Sequence, residues 1–435
     1  MLLSDMRDHS SATVLDRETL PPRNLWRNGD FLRFWFGETL SLMGTQVTNL
    51  ALPLTAITAF GADDEQVGLL RFLQLVPYLG LALVFGVWVD RVRRRSMMLG
   101  ANLVRLVLLA AIPLLYWTHL LDLTTLLVIA CAVGVASVLY DLSWMSYVPT
   151  VVKDPAQYVE AGAKMGVSSS TAEVAGPGLA GLLISALTAP VALVVDAFSY
   201  LVSVLSLLAI RTREQRPAPV RRHLGAELRD GLRWVLGNPI LRALALIGFC
   251  CNFSMISVWT MFLLYGTRDL GLTSATIGMV FAAASVGGLI GAGVSRKVIA
   301  RFRLGRVYFV AQSALLLGPL VIVVAGGPVP VMIGMFIASF FLTYLGLGVA
   351  GVIIVSLRQT STPPSMMGRM TAVFRTLLFG GGALGGLAAG LLAGHLGAHG
   401  GLTVVAVASA LAVIGVLVSP VSRLRGLPEP VAEAG

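Results

Sequence analysis

Charge is the scarcest property of this chain. Only 12% of its 435 residues are Asp, Glu, Lys or Arg, roughly half of what soluble domains carry. A chain so poor in charge cannot cover a globular surface with hydrated groups. It is also too apolar to stay disordered. Cysteine is nearly missing: Cys131, Cys250 and Cys251 all fall in apolar segments, with neither metal-ligand spacing nor a disulfide framework. They read as small core residues. The five histidines lie in tails, loops or helix ends, and none sits in a nucleophile motif. There is no G-x-x-x-x-G-K-[ST] phosphate loop and no H-E-x-x-H string. These absences exclude an ATP-driven engine within the chain and any recognisable metal or hydrolase centre. No cofactor, no metal and no enzymatic activity are expected.

What remains is hydrophobicity. Apolar residues make up 56% of the chain, glycine adds 47 more, and mean hydropathy is +0.83. The expected fold is all-α, a polytopic membrane protein of twelve spanning helices, each needing about 20 residues. The spans read as roughly 34–58, 66–89, 97–117, 124–148, 160–186, 190–210, 241–265, 275–299, 306–325, 329–355, 369–394 and 401–420. The net charge of +10 would suggest nucleic acid, but its placement argues otherwise. Of the 32 Lys and Arg, 29 lie in or beside segments on one face of such a bundle, and Arg71, Arg105 and Arg268 are the exceptions. Alternate loops carry acids instead, as at Asp63, Asp64, Glu65 and Asp122. This asymmetry predicts a cytoplasmic (inner) membrane location with both termini cytoplasmic. It also predicts contact with anionic lipid headgroups and no nucleic-acid partner. Residues 1–30 are polar and mixed in charge, so no signal peptide is expected.

The long polar stretch 211–239, with seven arginines, Pro217, Pro219 and Asn238-Pro239, divides the chain. The expected organisation is a tail at 1–30, a six-helix half at 31–210, a cytoplasmic linker at 211–239, a second half at 240–420 and a tail at 421–435. Residues 224–236 have the pattern of an amphipathic surface helix. A repeat supports the two halves. Gly86, Asp90 and Arg91 shift by 205 positions onto Gly291, Ser295 and Arg296. The same shift carries Gly176, Leu179, Gly181 and Leu182 onto Gly381, Leu384, Gly386 and Leu387. Both matches pair helix n with helix n+6, as in transporters built from parallel six-helix repeats.

Two motifs carry a resemblance. The string Gly86-Val-Trp-Val-Asp90-Arg91-Val-Arg-Arg94-Arg95 resembles the loop motif G-x-x-x-D-R-x-G-R-R/K between helices two and three of the major facilitator superfamily. Arg93 stands where that pattern has glycine. The resemblance implies a gate: Asp90 facing the N-terminus of the eleventh helix near Gly368-Arg369, where the helix dipole favours an anion, with Arg375 nearby. The bland alternative is a basic topology signal. The fifth helix reads Gly176-Pro177-Gly178-Leu-Ala-Gly181, similar to the G-P-x-x-G motif of the superfamily's exporters. Its glycines suit close helix contact and its proline a kink. The stretch 139–207 further resembles the drug:proton antiporter subgroup of macrolide-type and siderophore-type effluxers.

Charge within a membrane is costly and so marks function. Glu173 lies about 20 Å into the fifth helix; it is either a reversible proton carrier or a permanently protonated hydrogen-bond donor. Arg105 and Asp141 have similar depths in the third and fourth helices, which suggests a buried ion pair, structural or substrate-sensing. Glu38, Ser41, Thr45, Thr48 and Asn49 share one face of the first helix. In the superfamily that helix lines the central cavity, so Glu38, Thr45 and Asn49 are candidate contacts for substrate. Apolar contacts are expected from Trp144, from Asn252, Met255, Trp259 and Phe262, and from Phe336, Phe340 and Tyr344. Arg71 and Asp196 both fall in the outer third of the membrane, where they either pair or face polar headgroups, and they receive no site role.

Together these readings imply a monomeric secondary transporter that exports a small amphiphilic compound by proton antiport and alternating access. An importer or a lipid or lysolipid flippase on the same fold remains open, as does a non-transporting membrane receptor.

Overall fold

The computed structural model describes residues 25–81, 85, 88, 92–154, 157–212, 214, 224–429 and 431. Among these residues there are helices and no strand. The N-terminal half contains α1 (Gly29–Phe60), α2 (Asp64–Leu75), α3 (Arg94–Trp117), α4 (Leu123–Val151), α5 (Tyr158–Leu187) and α6 (Ala189–Ala209). A linker helix, Leu224–Gly237, follows where the amphipathic pattern predicts one. The second half contains α7 (Pro239–Leu264), α8 (Ser274–Arg301), α9 (Leu304–Leu317), α10 (Val329–Thr360) and α11 (Met367–Val418).

Local chemistry sets the ends. Asn28 caps α1 by accepting from the N–H groups of Asp30 and Phe31, and Asn238 caps α7 in the same way. Asp63 and Gln66 form a reciprocal capping box on α2. Proline sets the interruptions. The α2 ladder pauses at Val76, before Pro77, and resumes to Leu81. Helix α9 pauses at Gly318-Pro319 before one more turn, Leu320–Val323. The element α11 is two helices that meet at Gly397, whose φ of 73° no intrahelical residue adopts.

Nine stretches among the described residues are long and apolar enough to cross a membrane. The element α11 counts once although it holds two helices. The 32-residue α1 is not among the nine, because its polar stripe dilutes its hydropathy. The described part of α2 is too short to qualify. Twelve spans therefore remain an expectation at α1 and α2.

Each half packs within itself, with α1 against α5 and α6, α3 against α4 and α6, α7 against α11, and α8 and α9 against α10. Among the described residues two pairs carry most of the contact between the halves, α5 with α8 and α2 with α11, and α2 also touches α7. Here the glycine repeat acquires a meaning. A Cβ on Gly176 would lie 2.7 Å from the Gln46 Cβ of α1, and one on Gly181 would lie 2.9 Å from the Gly278 Cα of α8. At the equivalent positions, a Cβ on Gly381 would lie 2.5 Å from the Phe249 oxygen of α7, and one on Gly386 would lie 2.7 Å from the Arg71 Cβ of α2. In each repeat the first glycine admits a helix of its own half and the second admits the opposite half. Both seams are tightest at the face opposite the linker. There Gly68 and Gly390 abut, and the Arg268 guanidinium donates to the Asp64 carboxylate and to the Ala62 carbonyl.

At the linker face a carboxylate ties loose ends together. Asp30 accepts from the backbone N–H groups of Arg211 (3.1 Å) and Thr212 (2.9 Å) and from the Thr212 hydroxyl (2.6 Å). Partial burial pushes its carboxyl up, but these bonds and the one from Arg33 outweigh burial and hold it below the ordinary range.

Candidate functional site

A cavity of about 570 Å³ lies between the halves. Its walls are chemically unequal. From the N-terminal half come Glu38, Thr45 and Asn49 of α1, Arg71, Gln74 and Tyr78 on or just beyond α2, Arg105 of α3, Tyr140 and Asp141 of α4, Glu173 and Pro177 of α5, and Tyr200 of α6. From the second half come Met255, Ile256 and Trp259 of α7, Phe281 and Ser285 of α8, Tyr344 and Leu347 of α10, and Phe379 of α11. Every ionisable carboxylate and guanidinium on the wall belongs to the first half.

Those charges are held by named partners. The Tyr140 hydroxyl donates to the Glu38 carboxylate, which is only 6% exposed. The Arg105 guanidinium lies between two rings, 4.2 Å from Tyr140 and 4.3 Å from Tyr200. It also donates to Asn102, which in turn donates to Ser203 (2.8 Å). The Tyr78 hydroxyl donates to Asp141 at 2.8 Å. Ser169, one turn earlier on α5, donates to Glu173 at 3.3 Å. The second half offers stacked aromatics instead. Trp259 and Phe281 stack at 4.9 Å, and Phe262 touches Phe281, Phe336 and Phe340 edge-on behind them. Two contacts cross the gap: the Arg71 guanidinium over Trp259 at 4.2 Å and Tyr78 stacked on Phe379 at 3.9 Å.

The expectations fare unevenly. Glu38, Thr45, Asn49, Arg105, Asp141, Glu173, Trp259, Met255 and Tyr344 do line one cavity. The Arg105–Asp141 ion pair does not form: the ring cage and Asn102 hold the guanidinium, and Tyr78 takes Asp141. Trp144 is off the wall, packed against the buried cluster that includes Tyr140 and Tyr147. Asn252 is also off it and donates to the Leu378 carbonyl, tying α7 to α11. Phe340 and Phe336 are buried behind the wall, in the aromatic core.

In the loop motif, Gly86, Asp90 and Arg91 lie outside the described residues. Arg94 and Arg95 begin α3, and their N–H groups donate to the Glu214 carboxylate (2.8 and 3.0 Å), which caps the helix from beyond α6. The N-terminus of α11 meets the linker helix, where Arg369 pairs with Asp230 at 3.4 Å. Arg375 sits half-buried two turns on and is not one of the residues that line the cavity. Gly176 and Gly181 make the close contacts given above, and Pro177 lies at the cavity edge between them.

Sequence reading missed Arg71, Tyr78, Tyr140 and Tyr200. Arg71, Gln74 and Tyr78 stand at i, i+3 and i+7, a spacing that places them on one helix face. That signal was available. Asp196 proves fully buried, bonded by Thr48 and by Ser199 (2.9 Å) at the α1–α6 contact, and it does not pair with Arg71.

Comparison with known proteins agrees with this architecture. The sequence profile of the Major Facilitator Superfamily matches residues 34–386 and 244–434. The multidrug efflux pump Tap of Mycolicibacterium fortuitum is 27% identical over 415 residues, covering 92% of this chain and 98% of that one. The multidrug efflux pump Tap of Mycobacterium tuberculosis (strain ATCC 25618 / H37Rv) is 25% identical over 420 residues, covering 93% and 96%. Among solved structures, an inward-facing bacterial homologue of the iron transporter ferroportin superposes with a TM-score of 0.71 at 16% identity, over 89% of this chain and 98% of that one. The nucleoside transporter NupG superposes with a TM-score of 0.72 at 10% identity, over 89% and 98%.

Proposed function

We propose that this chain, which belongs to the major facilitator superfamily, exports small amphiphilic compounds across the cytoplasmic membrane by proton antiport. The observation that carries the reading is the divided cavity. Carboxylates at Glu38, Asp141 and Glu173 stand on one wall and an aromatic, apolar surface at Trp259 and Phe281 on the other. Such a surface accepts variable apolar bodies with little directional demand. A carboxylate within reach of that body can trade a proton for a cationic or hydrogen-bonding group. Similarity along nearly the whole chain to pumps named for multidrug efflux supports the same direction of transport.

The cycle follows from the seams. In the described state the α5–α8 and α2–α11 contacts close the face opposite the linker. The positive-inside rule makes the linker face cytoplasmic, together with both termini. Substrate then enters from the cytoplasmic side or inner leaflet and settles on Trp259. The halves rock about the seams, and the cavity opens outward. Protonation of Asp141 or Glu173 from outside discharges the substrate, and the proton leaves to the cytoplasm on return. The chain works as a monomer, with substrate, protons and membrane lipids as its partners. It acts as a transporter and not as an enzyme.

The test uses everted membrane vesicles with an imposed pH gradient and a pH-sensitive dye. Lipophilic cations, macrolides, siderophores and lysolipids are added to wild type, Glu173→Gln and Asp141→Asn. Substrate-triggered collapse of the gradient that vanishes in a carboxylate variant is the expected result. Substrate movement without any proton signal would sink the antiport step and favour lipid flipping or facilitated diffusion.

A further inference from the structure

Arg71 is a buried cation with no counter-ion among the described residues. It is only 8% exposed, yet it stands on the cavity wall. One Nη donates to the Asn49 carbonyl at 2.8 Å and the other to the Gln74 side chain at 3.2 Å. Both acceptors are neutral. The Nε is buried and has no acceptor. The described ion pairs involve Arg33, Lys164, Arg268 and Arg369, and none involves Arg71. An uncompensated guanidinium inside a membrane is costly, and such residues mark ligand paths. Its planar fork of donors fits a carboxylate or phosphate better than any other side chain does.

We propose that Arg71 is the subsite for an anionic group on the transported amphiphile, whose apolar body lies against Trp259. This inference rests on the export reading and narrows its substrate class. The opposite end of the ligand is also indicated. Tyr78 stands seven residues beyond Arg71, about 10 Å along the helix, and its hydroxyl is bonded to Asp141. A zwitterion whose carboxylate meets Arg71 and whose amine reaches toward Asp141 engages both ends. A purely cationic amphiphile reaches Asp141 and leaves Arg71 as it is. The rival role for Arg71 is a mechanical latch between Asn49 and Trp259. A latch acts on every substrate alike, whereas a subsite discriminates by ligand charge.

The probes are norfloxacin, which carries a carboxylate and an amine, and its methyl ester, which keeps only the amine. Binding to the purified full chain in lipid nanodiscs is read by quenching of tryptophan fluorescence, with Trp259→Phe as the reference. Movement is read in proteoliposomes under an imposed pH gradient. Wild type is expected to bind the zwitterion about tenfold more tightly than the ester, the preference that one charged pair supplies. Arg71→Gln should erase the preference by weakening the zwitterion alone. Unchanged ester binding then shows that the variant is folded. Equal binding of both probes by wild type, no binding of either, or a preference kept in Arg71→Gln each overturns the proposal. If Arg71→Gln loses both probes, Arg71→Lys decides. A zwitterion preference that falls with ester binding unchanged supports the subsite, and an unaltered preference overturns it. A wild type that prefers the zwitterion but moves neither probe defeats the export reading and leaves the subsite standing. One that moves both probes without preference does the reverse.

Discussion

The two halves share a helix plan and a glycine register, yet they face the cavity with opposite chemistry. The first half contributes Glu38, Arg71, Arg105, Asp141 and Glu173 to the wall, and the second contributes Met255, Trp259, Phe281 and Phe379. What the repeat retains is what closure needs, the small residues at the seams. What it has let diverge is what the ligand meets. The division has a physical sense. Buried charges need partners, and the first half supplies them locally through Tyr78, Tyr140, Tyr200 and Asn102. An aromatic wall needs none and can slide against a ligand as the halves rock.

The strongest way to break the comparison is at the seams, where the halves ought to be equivalent. Valine at Gly181 or at Gly386 forces a side chain into a contact made by the opposite half. Overpacking of that kind costs about 1–3 kcal/mol, and here the cost falls only on the state closed at that face. Its population should drop by roughly tenfold to a hundredfold. Transport in vesicles should fall by a similar factor for both variants, while yield and solubility in detergent hold. If Gly386→Val is silent and Gly181→Val is not, the seams are not equivalent and the repeat is only an echo in sequence.

The next test sharpens the chemical division. Asp141→Asn should reduce proton-coupled transport by at least about tenfold, because one of the two proposed proton carriers on the wall is lost. Tyr344→Phe, on the opposite wall, should leave the ratio of protons to substrate unchanged and move only KM. The two are compared with a pH-sensitive dye and a labelled substrate in the same vesicles. A loss of coupling in Tyr344→Phe would show that proton handling crosses the divide.

A third prediction concerns who holds Asp141. A charged hydrogen bond of the Tyr78–Asp141 kind contributes about 1.5–3 kcal/mol. Asparagine still accepts from the Tyr78 hydroxyl, so a double-mutant cycle of Tyr78→Phe with Asp141→Asn, read as thermal stability in detergent, should show only the charge-dependent part of that, near 1 kcal/mol. The cycle of Arg105→Ala with Asp141→Asn should show less than about 0.5 kcal/mol, since the two groups do not pair. The reverse order would restore the ion pair that matched depths suggest.

Much of this fold was legible because membrane physics constrains the pattern so tightly. A bilayer demands long apolar helices, and loop charge reports their direction, so the architecture follows from composition and the placement of arginine. The glycines of α5 and α11 were readable because close backbone contact admits little else. The site was legible only by depth and face. Those criteria brought Glu38, Asp141, Glu173 and Trp259 to one cavity. They failed for Arg105 and Asp141, because depth along an axis leaves open which of several neighbours takes a charge. They also failed for Phe340, because a helix in a bundle shows one aromatic to the cavity and the next to its neighbour. Arg71 was passed over as a residue near the headgroups, although Gln74 and Tyr78 on the same face mark it as interior.

The smallest effect tests the repeat at the backbone. Helices α5 and α6 meet at Thr188, with φ 77° and ψ 158°, and the two parts of α11 meet at Gly397, with φ 73° and ψ 161°. The turn is the same, but it comes seven residues after Gly181 and eleven after Gly386. The α11 helix is thus about one turn longer than α5 beyond the shared register. Glycine suits this conformation. A β-branched residue pays about 1–3 kcal/mol for it, and Thr188 is exposed, so its side chain offers little packing in return. Thr188→Gly should therefore raise stability by about 1 kcal/mol, since glycine's extra unfolded-state freedom takes back only part of the relief. Gly397→Thr should lower stability by a similar amount, and both changes are read from thermal unfolding in detergent. Neither should alter transport, because the turns lie at the closed face, outside both seams. If Thr188→Gly destabilises instead, the threonine does work in that turn that its twin does not, and the two halves differ in backbone as well as in wall chemistry.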